Sequence, residues 1–189
     1  YLRTYASEGF DLVIATGFLM QDVLKRVVKE FPKTKFAIID GFVDAPNVAS
    51  LLFKEQEGSF LEGAIAWLKT KTNKVGFVGG MDIPLIHKFE AGYRQGVKYV
   101  NPECEVMVLY AGSSPKAFHD PVKGKQLALT LFDKGADIIF HAAGSTGNGV
   151  IEAAREKKLF AIGVDSNQNY MAPGYVLTSM IKKVDVAVF

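Results

Sequence analysis

The stretch Ile138-Ile139-Phe140-His141-Ala142-Ala143-Gly144-Ser145-Thr146-Gly147-Asn148-Gly149-Val150-Ile151-Glu152-Ala153-Ala154 decides how the rest of the chain is read. Residues 136–143 are apolar apart from Asp137 and His141, as a strand covered on both faces should be. Gly144, Gly147 and Gly149 then predict a glycine-rich turn, and residues 150–154 continue as a helix. Bare N–H groups at a helix start favour oxygen-rich or anionic ligands. A tight strand-to-helix corner with no ligand explains the same glycines, and the stretch alone leaves both readings open.

Outward from this unit, strand and helix alternate. Residues 11–16 (DLVIAT) and 35–40 (KFAIID) read as strands. Met20, Val23, Leu24, Val27, Val28 and Phe31 lie between them at helical spacing, with Pro32 just beyond. Residues 47–53 form a shorter strand. Residues 55–70 form a helix whose inward face is expected to carry Phe60, Leu61, Ala64, Ile65 and Leu68. Residues 74–79 (KVGFVG) are a strand, followed by a helix with Phe89, Tyr93, Val97 and Val100 inward and a stop at Asn101-Pro102. Residues 105–110 are a strand, 111–121 a polar loop, and 122–134 a helix. After the glycine unit come strands at 159–164 and 175–180. Such alternation predicts an α/β fold with parallel sheets and helices on both faces. Ligands of these folds bind beyond the carboxyl ends of the strands. Here those ends are Gly17 and Phe18, Asp40, residues 80–84, 112–118 and 144–149, and Asp165.

Composition narrows the function. The 189 residues are 49% hydrophobic and 22% charged with a net charge of +2, which is ordinary for a globular chain of one large domain or two small lobes. So balanced a charge gives no footprint for nucleic acid or an acidic membrane surface. The single cysteine, Cys104, excludes an internal disulfide, and His87, His119 and His141 are too scattered for metal-ligand spacing. No apolar run is long enough to span a bilayer, and no secretory leader pattern opens the chain. Both ends read as cut, so the chain is expected to be an internal piece of a longer protein.

The motifs argue against catalysis. Residues 144–149 read G-x-x-G-x-G, not the dinucleotide fingerprint G-x-G-x-x-G, and no Walker lysine or G-x-S-x-G elbow is present. His141 reads as a hydrogen-bonded buried histidine, and Cys104 as a small core residue. Asp165 ends a strand, where a carboxylate accepts two ribose hydroxyls, although it also fits a helix cap. Asp22 sits in a first helical turn, where a carboxylate stabilises the helix start. Phe118, an aromatic in the polar loop Lys116-Ala117-Phe118-His119-Asp120, is either a stacking platform or a cap on the core.

Several segments together resemble one family. These are Gly17-Phe18-Leu19-Met20-Gln21-Asp22, Lys35-Phe36-Ala37-Ile38-Ile39-Asp40, Glu57-Gly58-Ser59-Phe60-Leu61-Glu62-Gly63, Val78-Gly79-Gly80-Met81-Asp82-Ile83-Pro84-Leu85-Ile86 and Phe89-Glu90-Ala91-Gly92-Tyr93. Ala143-Gly144-Ser145-Thr146-Gly147-Asn148-Gly149-Val150, Gly163-Val164-Asp165-Ser166 and Lys182-Lys183-Val184-Asp185-Val186-Ala187 complete them. Along essentially its whole length the chain resembles the BMP family of basic membrane, or purine nucleoside receptor-like, lipoproteins. The resemblance implies the type I periplasmic-binding-protein fold, with two doubly wound parallel-sheet lobes, here truncated at both ends. Residues 1–53 would be the remainder of lobe one, 54–181 lobe two, and 182–189 the hinge crossing back. It also implies a non-enzymatic substrate-binding component of an ABC importer, exported to the cell envelope. The protein would be periplasmic or held on the membrane surface by a lipid anchor outside this chain. A nucleoside would be the ligand and an ABC permease the partner, with no cofactor, metal or nucleic acid. By the resemblance, Phe118 stacks on the base, Gly144 lies against the ligand, Asp165 holds the ribose hydroxyls, Lys182 supports Asp165, and Asp22 reaches in from lobe one. A ligand-sensing domain of a regulator and a sugar- or nucleotide-converting enzyme are the competing expectations.

Overall fold

Apolar segments of β-branched and aromatic residues, most of them followed by a helix, build the expected parallel sheets. A computed structural model describes residues 1–189. The chain divides into two compact units, Tyr1–Phe53 with Lys183–Phe189, and Lys54–Lys182.

The smaller unit has a parallel sheet in the order β1 (Leu12–Thr16), β2 (Lys35–Ile39), β3 (Val48–Leu51). Helices α1 (Leu2–Ser7) and α2 (Gln21–Glu30) accompany it. Leu24, Val27 and Val28 form the buried stripe of α2 and pack with Phe36 and Ile38 of β2. The chain re-enters this unit as a short helix, Val184–Val188.

The larger unit is a five-stranded sheet, all parallel, in the order β5-β4-β6-β7-β8. The strands are β4 (Lys74–Met81), β5 (Glu105–Gly112), β6 (Ile138–Ala142), β7 (Phe160–Asp165) and β8 (Val176–Ile181), and the helices are α3 (Glu55–Lys69), α4 (Pro84–Val100), α5 (Pro121–Asp133) and α6 (Thr146–Lys157). The strand period of two splits their side chains between two cores. Phe77, Ile138 and Phe140 join Phe89, Tyr93 and Val97 of α4 on one face. Val78 and Ile139 join Leu131 of α5 and Val150 and Ile151 of α6 on the other. Asp137, buried at the entry to β6, accepts from Thr70 Oγ1 at 2.6 Å and from the N–H groups of Lys71 and Thr72 at 2.6 and 3.2 Å, which pins the turn after α3.

Two expectations are corrected. Leu61, Ile65 and Leu68 of the expected α3 stripe face outward, Leu61 63% exposed and Leu68 71%, and Phe60 and Ala64 are only half-buried, while Glu55, Ser59, Glu62, Gly63 and Ala66 are buried. The cause is close helix packing. A Cβ on Gly96 would stand 1.9 Å from the carbonyl oxygen of Phe60, and one on Gly92 2.2 Å from that of Gln56, so α3 and α4 meet backbone to backbone and the contact face takes small residues. The glycine turn is also shorter than expected, because α6 already begins at Thr146. Gly147 and Gly149 are helical, and both are steric requirements. A Cβ on Gly147 would lie 2.0 Å from Nδ1 of His141, and one on Gly149 1.9 Å from the carbonyl of Pro121. The N–H groups of Thr146, Gly147 and Asn148 donate to the carbonyls of Ala143, Gly144 and Ser145, so they are not bare donors.

Candidate ligand-binding site

Because every strand of the larger sheet is parallel, their carboxyl ends form one row, and the loops leaving it carry the residues singled out in the sequence. Phe118 closes the short 3-10 turn Pro115–Phe118 after β5. Its ring covers Gly80 near the end of β4, where a Cβ would come within 2.2 Å of Cε1. The ring is half-buried and packs on the core, so it caps the sheet and still presents an aromatic surface. Its backbone is tied to the corner after β6. Ser145 Oγ donates to the carbonyl of Phe118 at 3.0 Å, and Thr146 Oγ1 donates to that of Ala117 and accepts from the N–H of Asp120, each at 2.8 Å. Gly144 has φ +55°, a conformation that disfavours a side chain, and a Cβ there would stand 3.0 Å from the carbonyl oxygen of Phe118. Phe118 and Gly144 are therefore brought together.

Asp165 and Lys182 are also brought together. Asp165 is the last residue of β7, and its carbonyl accepts from the N–H of Lys182, just beyond β8, at 3.0 Å. Nζ of Lys182 is 3.9 Å from Asp165 Oδ1 and 3.6 Å from Glu55 Oε1, and lies 5.3 Å from the centroid of the Phe89 ring. The lysine side chain is 6% exposed and that of Glu55 2%, whereas the Asp165 side chain is 57% exposed. The buried lysine thus stands between a buried carboxylate and a solvent-facing one, within ion-pair distance of both. Glu55 was missed by the sequence reading. Its signal was the run of buried-face positions 55, 59, 62, 63 and 66, masked by the more hydrophobic residues on the opposite side of α3.

Asp22 belongs to the other unit. It lies in the first turn of α2 with its side chain 87% exposed and Lys25 Nζ at 3.8 Å, and it complements the helix dipole there.

Beneath the row, His141 is fully buried. Its Nε2 is 3.1 Å from Oε1 of Gln168, while Nδ1 has no hydrogen-bond partner. Burial lowers its pKa to about 4, against a smaller opposing effect of Gln168, so the ring is neutral and structural. No group of His, Cys, Asp or Glu is assembled to hold a metal ion. The row offers an aromatic surface and a lysine-held carboxylate, which suit stacking and hydroxyl recognition.

The parallel sheets and the likeness to solved structures give the α/β fold of the type I periplasmic binding proteins. The profile of PnrA-like ABC transporter substrate-binding proteins (Bmp) matches residues 1–189, and the chain belongs to that family, which is one of substrate-binding proteins rather than enzymes. It is 42% identical to the CD4+ T-cell-stimulating antigen of Listeria monocytogenes, over 99% of this chain and 56% of that protein. It is 36% identical to the ABC transporter nucleoside-binding protein BmpA of Lactococcus lactis, over 100% of this chain and 58% of that protein. A solved ABC transporter solute-binding protein from Aeropyrum pernix superposes with a TM-score of 0.89 at 35% identity, covering 99% of this chain and 55% of that one. The chain spans about half the length of these proteins.

Proposed function

We propose that this chain is part of a solute-binding protein that captures a nucleoside, a purine nucleoside in particular, for an ABC importer. The observation that carries the reading is the exposed Asp165 carboxylate, held by buried Lys182 on the same row of strand ends as Phe118 and Gly144. A nucleoside lacks phosphate, so its ribose is recognised through hydroxyls, for which a fixed carboxylate is the strongest double acceptor. Phe118 stacks on the base, and Gly144 admits the ligand close to the backbone. Nucleoside binding by the Lactococcus relative, as its name states, supports the same class of ligand. The protein acts in the cell envelope beside its permease, held to the membrane surface by a lipid anchor outside this chain. No helix of the chain is long and apolar enough to cross a membrane.

The test is native mass spectrometry of the purified full-length protein for retained ligand, followed by calorimetric titration with inosine, guanosine and adenosine. Saturable binding with the nucleosides recovered unchanged by chromatography is the expected result. Release of free base at enzymatic rates, or no binding of any nucleoside, would overturn the proposal.

A further inference from the structure

Asp165 has φ +66°, and the N–H of Ser166 donates to the carbonyl of Val164 at 2.8 Å. This three-residue turn, centred on a residue with positive φ, is the rare and strained form of the γ-turn. Such a conformation persists only where its surroundings over-determine it. Gln168 supplies the surroundings. Its Oε1 accepts from the N–H of Val164 at 2.9 Å and meets His141 Nε2 at 3.1 Å, and its own N–H donates to Ser179 Oγ of β8 at 3.1 Å. As Gln168 Oε1 is an acceptor, His141 carries its proton on Nε2 and donates. The side-chain amide therefore ties β6 to the end of β7 directly beneath the turn, and the backbone N–H of the same residue ties it to β8. Room for it exists because residue 163 is glycine: a Cβ there would lie 2.7 Å from Gln168 Oε1 and 2.5 Å from Ser179 Oγ.

We propose that Gln168 is a positioning residue for ligand binding, holding the strained turn that aims the Asp165 carboxylate at the ribose hydroxyls. The inference rests on the nucleoside reading of Asp165. Gln168 itself touches no ligand. Its contribution is that the carboxylate is already aimed before the ligand arrives, so no ordering cost falls on binding.

The test uses the full-length protein with Gln168→Ala, Asp165→Ala and the double variant, each titrated with guanosine and 2′,3′-dideoxyguanosine. Hydrogen exchange is read at the Val164 and Ser166 amides. In Gln168→Ala both amides are expected to exchange faster. Guanosine binding should weaken about tenfold while the dideoxynucleoside is bound as before, and the substitution should add nothing in the Asp165→Ala background. Unchanged exchange at Ser166, equal weakening for both ligands, or a full effect in the double variant would overturn the positioning role. Asp165→Ala binding guanosine as well as wild type would instead overturn the ribose role of Asp165, and the role of Gln168 with it.

Discussion

At the scale of single residues, the exposed carboxylate of Asp165 above a buried lysine makes a measurable prediction. A hydrogen bond to a charged group contributes roughly 1.5–3 kcal/mol, so Asp165→Ala should weaken guanosine or inosine binding on the order of tenfold to a few hundredfold. A 2′,3′-dideoxynucleoside has lost the hydroxyls and should scarcely sense the change. Calorimetry with both ligands checks this, and an equal loss for the two would remove Asp165 from the site. Asp165 and Phe118 stood out in the sequence as a carboxylate at a strand end and an aromatic in a polar loop, and both lie on the row of strand ends. Glu55 and Gln168 were not legible. Each acts through a partner distant in the chain, Lys182 for the one and His141 and Ser179 for the other, and no local pattern marks such pairings.

At the scale of elements, α3 shows how hydrophobic periodicity misleads. Leu61, Ile65 and Leu68 recur at helical spacing, yet α3 buries Ser59, Glu62 and Gly63, because the glycines of α4 draw the two backbones together. Hydrophobicity does not report where a neighbour comes too close for a large side chain. Glu62 is the cost of that arrangement. Burial raises its pKa to about 7 from 4.5, so between those values the folded state keeps a proton that the unfolded chain releases, and stability falls as pH rises through the window. His141 acts in the opposite direction. Its pKa of about 4 lies below the ordinary 6.5, so stability is lost as pH falls from 6.5 towards 4. Each effect amounts to about 3 kcal/mol at most, and over the shared range the two offset each other. Glu62→Gln should therefore be more stable than wild type at pH 8, lose that advantage by pH 4.5, and expose the histidine's acid sensitivity. Urea unfolding across this range checks it. An advantage independent of pH would mean that the Glu62 pKa is not raised.

At the scale of the whole molecule, the alternation of strands and helices made the parallel sheets legible, since a buried strand and an amphipathic helix have different periods. The order β5-β4-β6-β7-β8 was not legible, because pairing is decided by contacts between residues far apart in the chain. The glycine corner was read correctly as a junction but too long as a loop. Gly147 and Gly149 answer to His141 and Pro121, partners that appear only once the sheet and its helices are assembled.

Cys104, the only cysteine in these 189 residues, is fully buried just before β5 in the larger unit. Burial is the main cause that pushes its thiol pKa up, and so keeps it in the unreactive protonated form. It is thus a natural clock for that unit, started only when the sheet opens. In the full-length protein, alkylation of the peptide carrying Cys104 should proceed at the rate of a free thiol multiplied by the open fraction of the larger unit. Unfolding of the smaller unit alone should leave the clock stopped. Saturating nucleoside should slow it in proportion to ligand concentration over Kd, if the open unit has lost the site. Followed by mass spectrometry, fast labelling without denaturant would show that the cysteine is not sealed in; slow labelling that responds to nucleoside would time the opening of one sheet through a single sulfur atom.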